Sequence, residues 1–372
     1  MERFKLLILI ACMLFMWLPI GQMLTGLPRQ SAFVDENRKL APEPVLESWE
    51  DMHEFAVDAI EWFNDRFGFR DFLIRAKTQI DYSVFGMSTH IHVGSDGWLF
   101  YRSVMDVEKP HIEMVLRKDL DVVIGGVRQL ATELAERGVK LVIMVAPMKD
   151  VYYSEYLPDT AKKLPDPRQV ELLQDRFRAM EDIIFIDIEA IMEETAKNRT
   201  VFHKTDFHWN DPAAFDVARS FVNELGKYEG KSSPVWTHQL EIEKRFFSGG
   251  EASFMPIFFP PKEQGLFVKQ NWTMPAFNYE EKKGSFEWIY EIKQPSGHEL
   301  SPITVVGDSF FDGMSRSGIG LYFKKIYKAK WSEISVAKLA NDLPSDSKYF
   351  LLQFIEVSNR AYSELKSISP EK

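Results

Sequence analysis

Two short stretches hold the residues best suited to chemistry: "HKTDFHWNDP" at 203–212 and "VVGDSFFDG" at 305–313. The first supports three readings. As metal ligands, His203, Asp206 and His208 form an H-x2-D-x-H cluster suited to zinc or iron, which would also need an open coordination position. As half of a nucleophilic site, Asp206 and His208 form a D-x-H pair within a loop. There the carboxylate can bond the imidazole and fix its tautomer and orientation. As structure alone, the stretch is a capped polar turn, followed by a helix that Asp211 and Pro212 open.

The second stretch reads as a hydrophobic strand running into a tight turn that presents Ser309 ahead of a helix. In open α/β sheets ligands sit at the carboxyl ends of strands, where Ser309 falls. Gly307 permits a sharp turn, and a backbone N–H at the helix start could face a developing oxyanion. The plainer reading is an ordinary strand–helix loop with Ser309 as a cap.

A serine nucleophile needs a base, and the base an orienting partner. Of the eight histidines, His53 lies on a helical face, and His90 and His92 alternate along a presumed strand as a weak metal pair. His111, His238 and His298 have no carboxylate at useful spacing. His208 alone combines a neighbouring carboxylate with a loop ahead of a helix. The triad reading therefore joins Asp206, His208 and Ser309, with Trp209 shielding the pair from water and His203 a bystander.

The elements that must position these residues are legible as alternating patterns. Met52, Phe55, Ala56, Ala59, Ile60 and Phe63 fall on one helical stripe after Ser48, expected to pack in a core, and a second helix follows at 69–85. "IHVGSDGWLFY" (91–101) reads as strand, turn and strand. Further helices are expected at 119–137, 166–180 and 211–226, and strands at 140–147, 183–187, 302–309 and 348–357. Apolar strands separated by amphipathic helices predict an α/β fold with a mainly parallel sheet and flanking helices. Residues 227–300 break the rhythm with short runs such as "SFEWIYEI" and read as a partly β insertion.

The N-terminus has Arg3 and Lys5 ahead of an apolar run from Leu6 to about Leu24, with no A-x-A cleavage site after it. That pattern predicts an uncleaved signal anchor over 1–25, with a removed signal peptide as the alternative, a linker over 26–47 and an extracytoplasmic domain over 48–372. The single cysteine, Cys12, excludes a disulfide framework or a CxxC metal site. A net charge of −10 offers no counterion release from phosphates, so nucleic acid is not expected as a partner.

"WFNDRFGFRD" (62–71), "DGWLFY" (96–101), "VAPMKDVYYSEYLP" (145–158), "KTDFHWN" and "GDSF" together resemble the SGNH-hydrolase-like family of alginate O-acetyltransferases of the AlgJ/AlgX type. The resemblance implies an SGNH-like fold in a permuted motif order, since ordinary members carry GDS first and Asp–His last. It implies Asp206 as orienting residue, His208 as base and Ser309 as nucleophile, with no cofactor and no metal. It also implies a polysaccharide acceptor and a membrane-bound O-acyltransferase-type partner that hands acetyl groups outward to an enzyme anchored in the inner membrane. Some members have a C-terminal carbohydrate-binding domain; this sequence ends too soon for one, so the anchored single-domain type is expected. No GxND motif is present, and the strand end at 353–360 is where a second oxyanion donor would be sought. Two other functions fit the same residues: a polysaccharide acetylesterase, in which water replaces the sugar, and a non-catalytic component of a polysaccharide-export complex.

Overall fold

The computed structural model describes residues 2–27, 40–163, 165–231 and 234–369. Two units separate, one of Met1–Thr89 with Ser253–Pro260 and one of His90–Ala252 with Pro261–Lys372.

The smaller unit is helical: α1 (Glu2–Thr25), α2 (Met52–Arg66) and α3 (Arg70–Phe85). Phe72 of α3 meets Phe258 at 5.3 Å, and the Gln79 side chain accepts from the Phe258 and Phe259 N–H groups. The stripe on α2 is not core as expected. Met52, Ile60 and Phe63 stay 39, 61 and 42% exposed. Helices of one unit without a sheet layer bury only what they press on each other, and α2 contains no buried residue. Most of the expected linker at 26–47 lies outside the described residues. Among the described residues no helix is long and apolar enough to cross a membrane. Several side chains of α1 lie outside that set, so the anchor is a proposal.

In the larger unit, β1 (Ile91–Val93) and β2 (Leu99–Tyr101) pair antiparallel, as "IHVGSDGWLFY" predicts. Then come α4 (Lys109–Glu136), β3 (Lys140–Ala146), α5 (Asp150–Tyr153), α6 (Gln169–Arg178), β4 (Ile184–Ile186), α7 (Ile188–Ala196) and α8 (Asp211–Tyr228). The helix expected to begin at Asp119 begins ten residues earlier, because buried Ile112 and Leu116 continue its apolar stripe; Asp119 is a kink within it (φ −122°, ψ 20°). After β5 (Ile242–Phe247), α9 (Gly250–Ser253), β6 (Glu263–Val268), β7 (Phe277–Lys283) and β8 (Phe286–Ile292) comes the serine-bearing pair β9 (Ile303–Gly307) and α10 (Ser309–Arg316). β10 (Lys325–Lys330), α11 (Val336–Asn341), β11 (Tyr349–Ile355) and α12 (Asn359–Ile368) complete the unit.

Seven strands form one sheet in the order β4-β3-β11-β9-β10-β8-β7. The pairs from β4 to β10 are parallel, and β8 and β7, from the expected insertion, extend the sheet antiparallel. Alternate residues of each central strand serve separate cores. On one face Val142, Met144, Val305 and Leu351 meet α7, α8 and α10. On the other, Leu141, Ile143, Val306 and Phe350 meet α4, α6, α11 and α12. Both faces are covered, so the central strands are mostly apolar, as a parallel sheet requires. Ser309 stands at the carboxyl end of β9, between the ends of β11 and β10.

Candidate active site

Ser309 is the first residue of α10 and is exposed. Its position is set by Asp308, the N-cap, whose Oδ1 accepts from the Phe310 N–H at 2.9 Å and from Gln353 Nε2 at 2.9 Å. Oδ2 accepts from the Ile355 N–H at 2.8 Å, and the Asp308 N–H donates to Gln353 Oε1 at 3.0 Å. One carboxylate thus caps the helix and ties it to β11. Burial pushes the Asp308 carboxyl up, against the pull of these donors. Phe310 and Phe311 then drive the helix onto the sheet, both with 1% exposure or less. Gly307 plays a different part from the sharp turn expected of it. Its φ is not positive, and a Cβ there would meet Phe311 Cβ at 3.1 Å and Gln353 Oε1 at 3.3 Å, so it supplies room beneath the elbow.

The 203–212 loop is closed at its base by a bridge between Phe202 and Trp209 and by the Asn210 N–H bonding Val201 O at 2.9 Å. Asn210 caps α8 through Oδ1, which accepts from the Ala213 N–H at 3.0 Å, so the helix begins at Asp211 as expected. Four groups from outside the loop fix its course. Glu263 of β6 accepts from the N–H groups of Lys204 (3.0 Å) and Thr205 (2.7 Å) and from the Thr205 hydroxyl (2.7 Å). Lys149, just past β3, donates to the carbonyls of Lys204 and Asp206 at 3.1 Å each and pairs with Glu251. Burial pushes the Lys149 ammonium down and raises the Glu251 carboxyl to about 7, against their mutual attraction. Gly249 N–H donates to Thr205 Oγ1, and Gly250 N–H donates to Asp206 Oδ2 at 2.6 Å. A Cβ on Gly249 would lie 2.5 Å from Thr205 O, so only glycine allows this approach.

Within this frame the three predicted residues meet. His208 Nδ1 lies 2.7 Å from Asp206 Oδ1, and His208 Nε2 lies 2.7 Å from Ser309 Oγ, across 101 residues of sequence. An ionised carboxylate only accepts, so Nδ1 carries the proton and Nε2 is free to accept from the serine hydroxyl. Burial alone would raise the Asp206 carboxyl. Bonds from the His208 ring, the Gly250 N–H and the His208 N–H outweigh it and hold Asp206 well below the usual carboxylate range. The Ser309 N–H has no acceptor among the described residues and, as the first amide of α10, sits where the helix dipole favours a developing negative charge.

The other sequence candidates part company. His203 is buried edge-on to Phe247 at 4.6 Å and beside Phe267 at 5.2 Å. Among the described residues no group of three His, Cys, Asp or Glu is placed to hold a metal ion. His92 bonds Asp106 at 2.9 Å, while His90 is exposed. Trp209 does not shield the Asp–His pair. It is 1% exposed, packed edge-on against Phe310 at 5.1 Å, and the ring lying against His208 is that of Phe207, tilted at 3.9 Å. Gln353, in the region marked for a second oxyanion donor, is spent on Asp308. Asp308 was legible as a helix N-cap in "GDSFF"; Lys149, Glu251 and Glu263 carry no local signal.

A parallel sheet with a serine at the β9 end and a D-x-H loop over it is an SGNH-like α/β arrangement. Residues 91–245 match the family model "SGNH hydrolase-like domain, acetyltransferase AlgX", a segment that holds Asp206 and His208 and stops short of Ser309. The chain is 30% identical over 184 residues to the probable alginate O-acetylase AlgJ of Pseudomonas aeruginosa, covering 48% of this chain and 44% of that protein. It therefore spans less than half the length of that relative. Bacillus cereus PatB1, solved with a sulfonyl adduct, superposes with a TM-score of 0.51 at 14% identity over 73% of this chain and 97% of that one, a likeness of fold. The O-acetyltransferase domain of Pseudomonas putida AlgJ gives a TM-score of 0.46 at 15% identity over 74% of this chain and 98% of that one. Over these stretches the chain is similar to the AlgJ/AlgX-type SGNH-hydrolase-like family.

Proposed function

We propose that the protein is an O-acetyltransferase of the cell envelope, transferring acetyl groups to hydroxyls of an exported, alginate-like polysaccharide. One observation carries the reading: the continuous relay Asp206–His208–Ser309, with 2.7 Å at each link and the serine exposed. Its support from relatives is the similarity to a probable alginate O-acetylase.

In the first half-reaction His208 Nε2 takes the Ser309 proton as Oγ attacks the acetyl carbonyl of the donor. The oxyanion forms beside the Ser309 N–H. The tetrahedral species collapses, the donor's oxygen leaves with the proton from His208, and an acetyl ester remains on Ser309. In the second half-reaction a sugar hydroxyl gives its proton to His208 Nε2 and attacks the ester, and the returned proton regenerates Ser309. Asp206 holds the ring and stabilises the imidazolium in both. No step requires a cofactor or a metal. An outside acetylation site must be supplied from cytoplasmic acetyl groups, so the donor is a membrane-embedded O-acyltransferase, and α1 is the inner-membrane anchor that keeps the enzyme beside it.

The test is intact-mass measurement after incubation with an activated acetyl ester. The wild type gains one acetyl group, lost on adding acceptor oligosaccharide with acetylated sugar as product. Adduct formation and turnover by Ser309→Ala or His208→Ala would overturn the assignment, and free acetate as sole product would make the protein an esterase.

A further inference from the structure

The antiparallel strands β7 and β8 add an aromatic surface to the sheet that the relay does not use. Cross-strand neighbours point to the same face. Tyr279 lies opposite Tyr290 and Phe277 opposite Ile292, so the three rings share a face with Trp288, two residues along from Tyr290. Phe277 and Tyr290 are 4.9 Å apart, Tyr279 and Trp288 6.2 Å. With Asp312 and Ser315 of α10 these rings line a pocket of about 300 Å³. Phe277 and Tyr279 remain 41 and 50% exposed.

Two features distinguish this pocket from an uncovered apolar patch. Tyr290 is only 6% exposed, yet its hydroxyl has no hydrogen-bond partner among the described residues. A buried hydroxyl left unpaired is costly and calls for a partner from outside the chain. The pocket also abuts the helix that begins with Ser309. Asp312 and Ser315 lie three and six residues on, about 4.5 and 9 Å along the axis. The Asp312 carboxylate, 3.7 Å from Lys328 Nζ, is half-exposed and available to accept.

We infer that this pocket is a saccharide subsite, holding a pyranose ring of the acceptor next to the sugar unit that Ser309 acetylates. A pyranose has apolar C–H faces that lie on flat rings and an equatorial rim of hydroxyls that donate and accept. Trp288 and Tyr279 supply the platform; Tyr290, Asp312 and Ser315 meet the rim. The role as acceptor subsite rests on the acetyl-transfer reading of Ser309, whereas saccharide binding at this place does not.

Calorimetric titration of the full chain with an alginate hexasaccharide and, separately, with cellohexaose tests it, because neither probe needs an acetyl donor. The wild type binds at least one of them, the preferred arm telling an acidic from a neutral acceptor. Trp288→Ala weakens binding at least tenfold and Trp288→Phe by less. Tyr290→Phe is the sharper variant. It removes an unpaired hydroxyl, so a purely structural tyrosine would leave affinity unchanged and the melting temperature equal or higher. A subsite tyrosine loses about 2–10-fold in affinity. Binding of neither probe by a wild type that forms the acetyl-enzyme overturns the subsite alone. Unchanged affinity in both Trp288→Ala and Tyr290→Phe does so as well. Saccharide binding without acetyl-enzyme formation keeps the subsite and overturns the Ser309 reading.

Discussion

The two regions that meet at Ser309 Oγ are built in opposite ways. The β9–α10 elbow is largely local: a buried strand, Gly307 with no room for a side chain, Asp308 capping the helix that carries Ser309, and two phenylalanines pressing that helix onto the sheet. The 203–208 loop has no regular structure of its own to hold it. Its polar backbone is satisfied by Glu263 from β6 and Lys149 just past β3, and its Asp206 carboxylate by the N–H of Gly250, the first residue of α9. A serine on a helix start needs only its strand and cap. A histidine that must reach it from another part of the chain is held at the right distance by partners from several parts of it.

The largest break in this comparison removes the base. His208→Ala should lower the rate of acetyl transfer by on the order of 10⁴–10⁶, with Ser309→Ala equal to it and the double variant no worse, because the two act as one unit. Measuring kcat/KM with an activated acetyl ester decides it, and additive losses would show independent roles. Next is Asp206→Asn, which keeps the shape while removing the negative charge that fixes the tautomer and stabilises the imidazolium; a loss of about 10⁴ in kcat is expected.

Third, Lys149→Met leaves the buried Glu251 carboxylate without its partner and two loop carbonyls without a donor. Urea unfolding should show a loss of about 3–5 kcal/mol. Asp308→Asn, the counterpart in the elbow, keeps one accepting oxygen but turns its NH2 on another N–H, and should cost roughly 1–3 kcal/mol. If the two losses are equal, the contrast between a loop held from outside and a locally encoded elbow fails.

The smallest effect is a dependence on pH. The Asp206 carboxyl is held below its unfolded value of about 4, so it contributes stability that is present above that pH and lost as pH falls through the folded value. The difference in unfolding free energy between wild type and Asp206→Asn should be constant from roughly pH 8 to 6 and shrink below roughly pH 4. A difference that grows in acid would contradict the depressed carboxyl.

Much of this was legible residue by residue. Strands β3, β9 and β11 declared themselves as continuous apolar runs because both faces of the sheet are covered. "DFH" and "GDS" announced an oriented histidine and a serine at a strand end. The misreadings share a cause. The stripe on α2 has the period of a core helix, yet period says nothing about what lies opposite. Trp209 adjoins His208 in sequence, but the turn of the backbone sends it under Phe310 and leaves Phe207 to lie against the imidazole.

By itself, then, the sequence determined the α/β alternation and singled out the three residues of the relay, although it read Ser309 rather than Asp308 as the helix cap. These depend on hydrophobic period, on short-range hydrogen bonds and on side-chain chemistry, all of which act over a few residues. The tertiary structure alone decided that His208 Nε2 stands 2.7 Å from a hydroxyl 101 residues away, and that Lys149, Glu251, Gly250 and Glu263 hold it there. It also turned four aromatic rings of β7 and β8 toward α10. Contacts of that range depend on how strands pair and sheets are ordered, which no local pattern encodes.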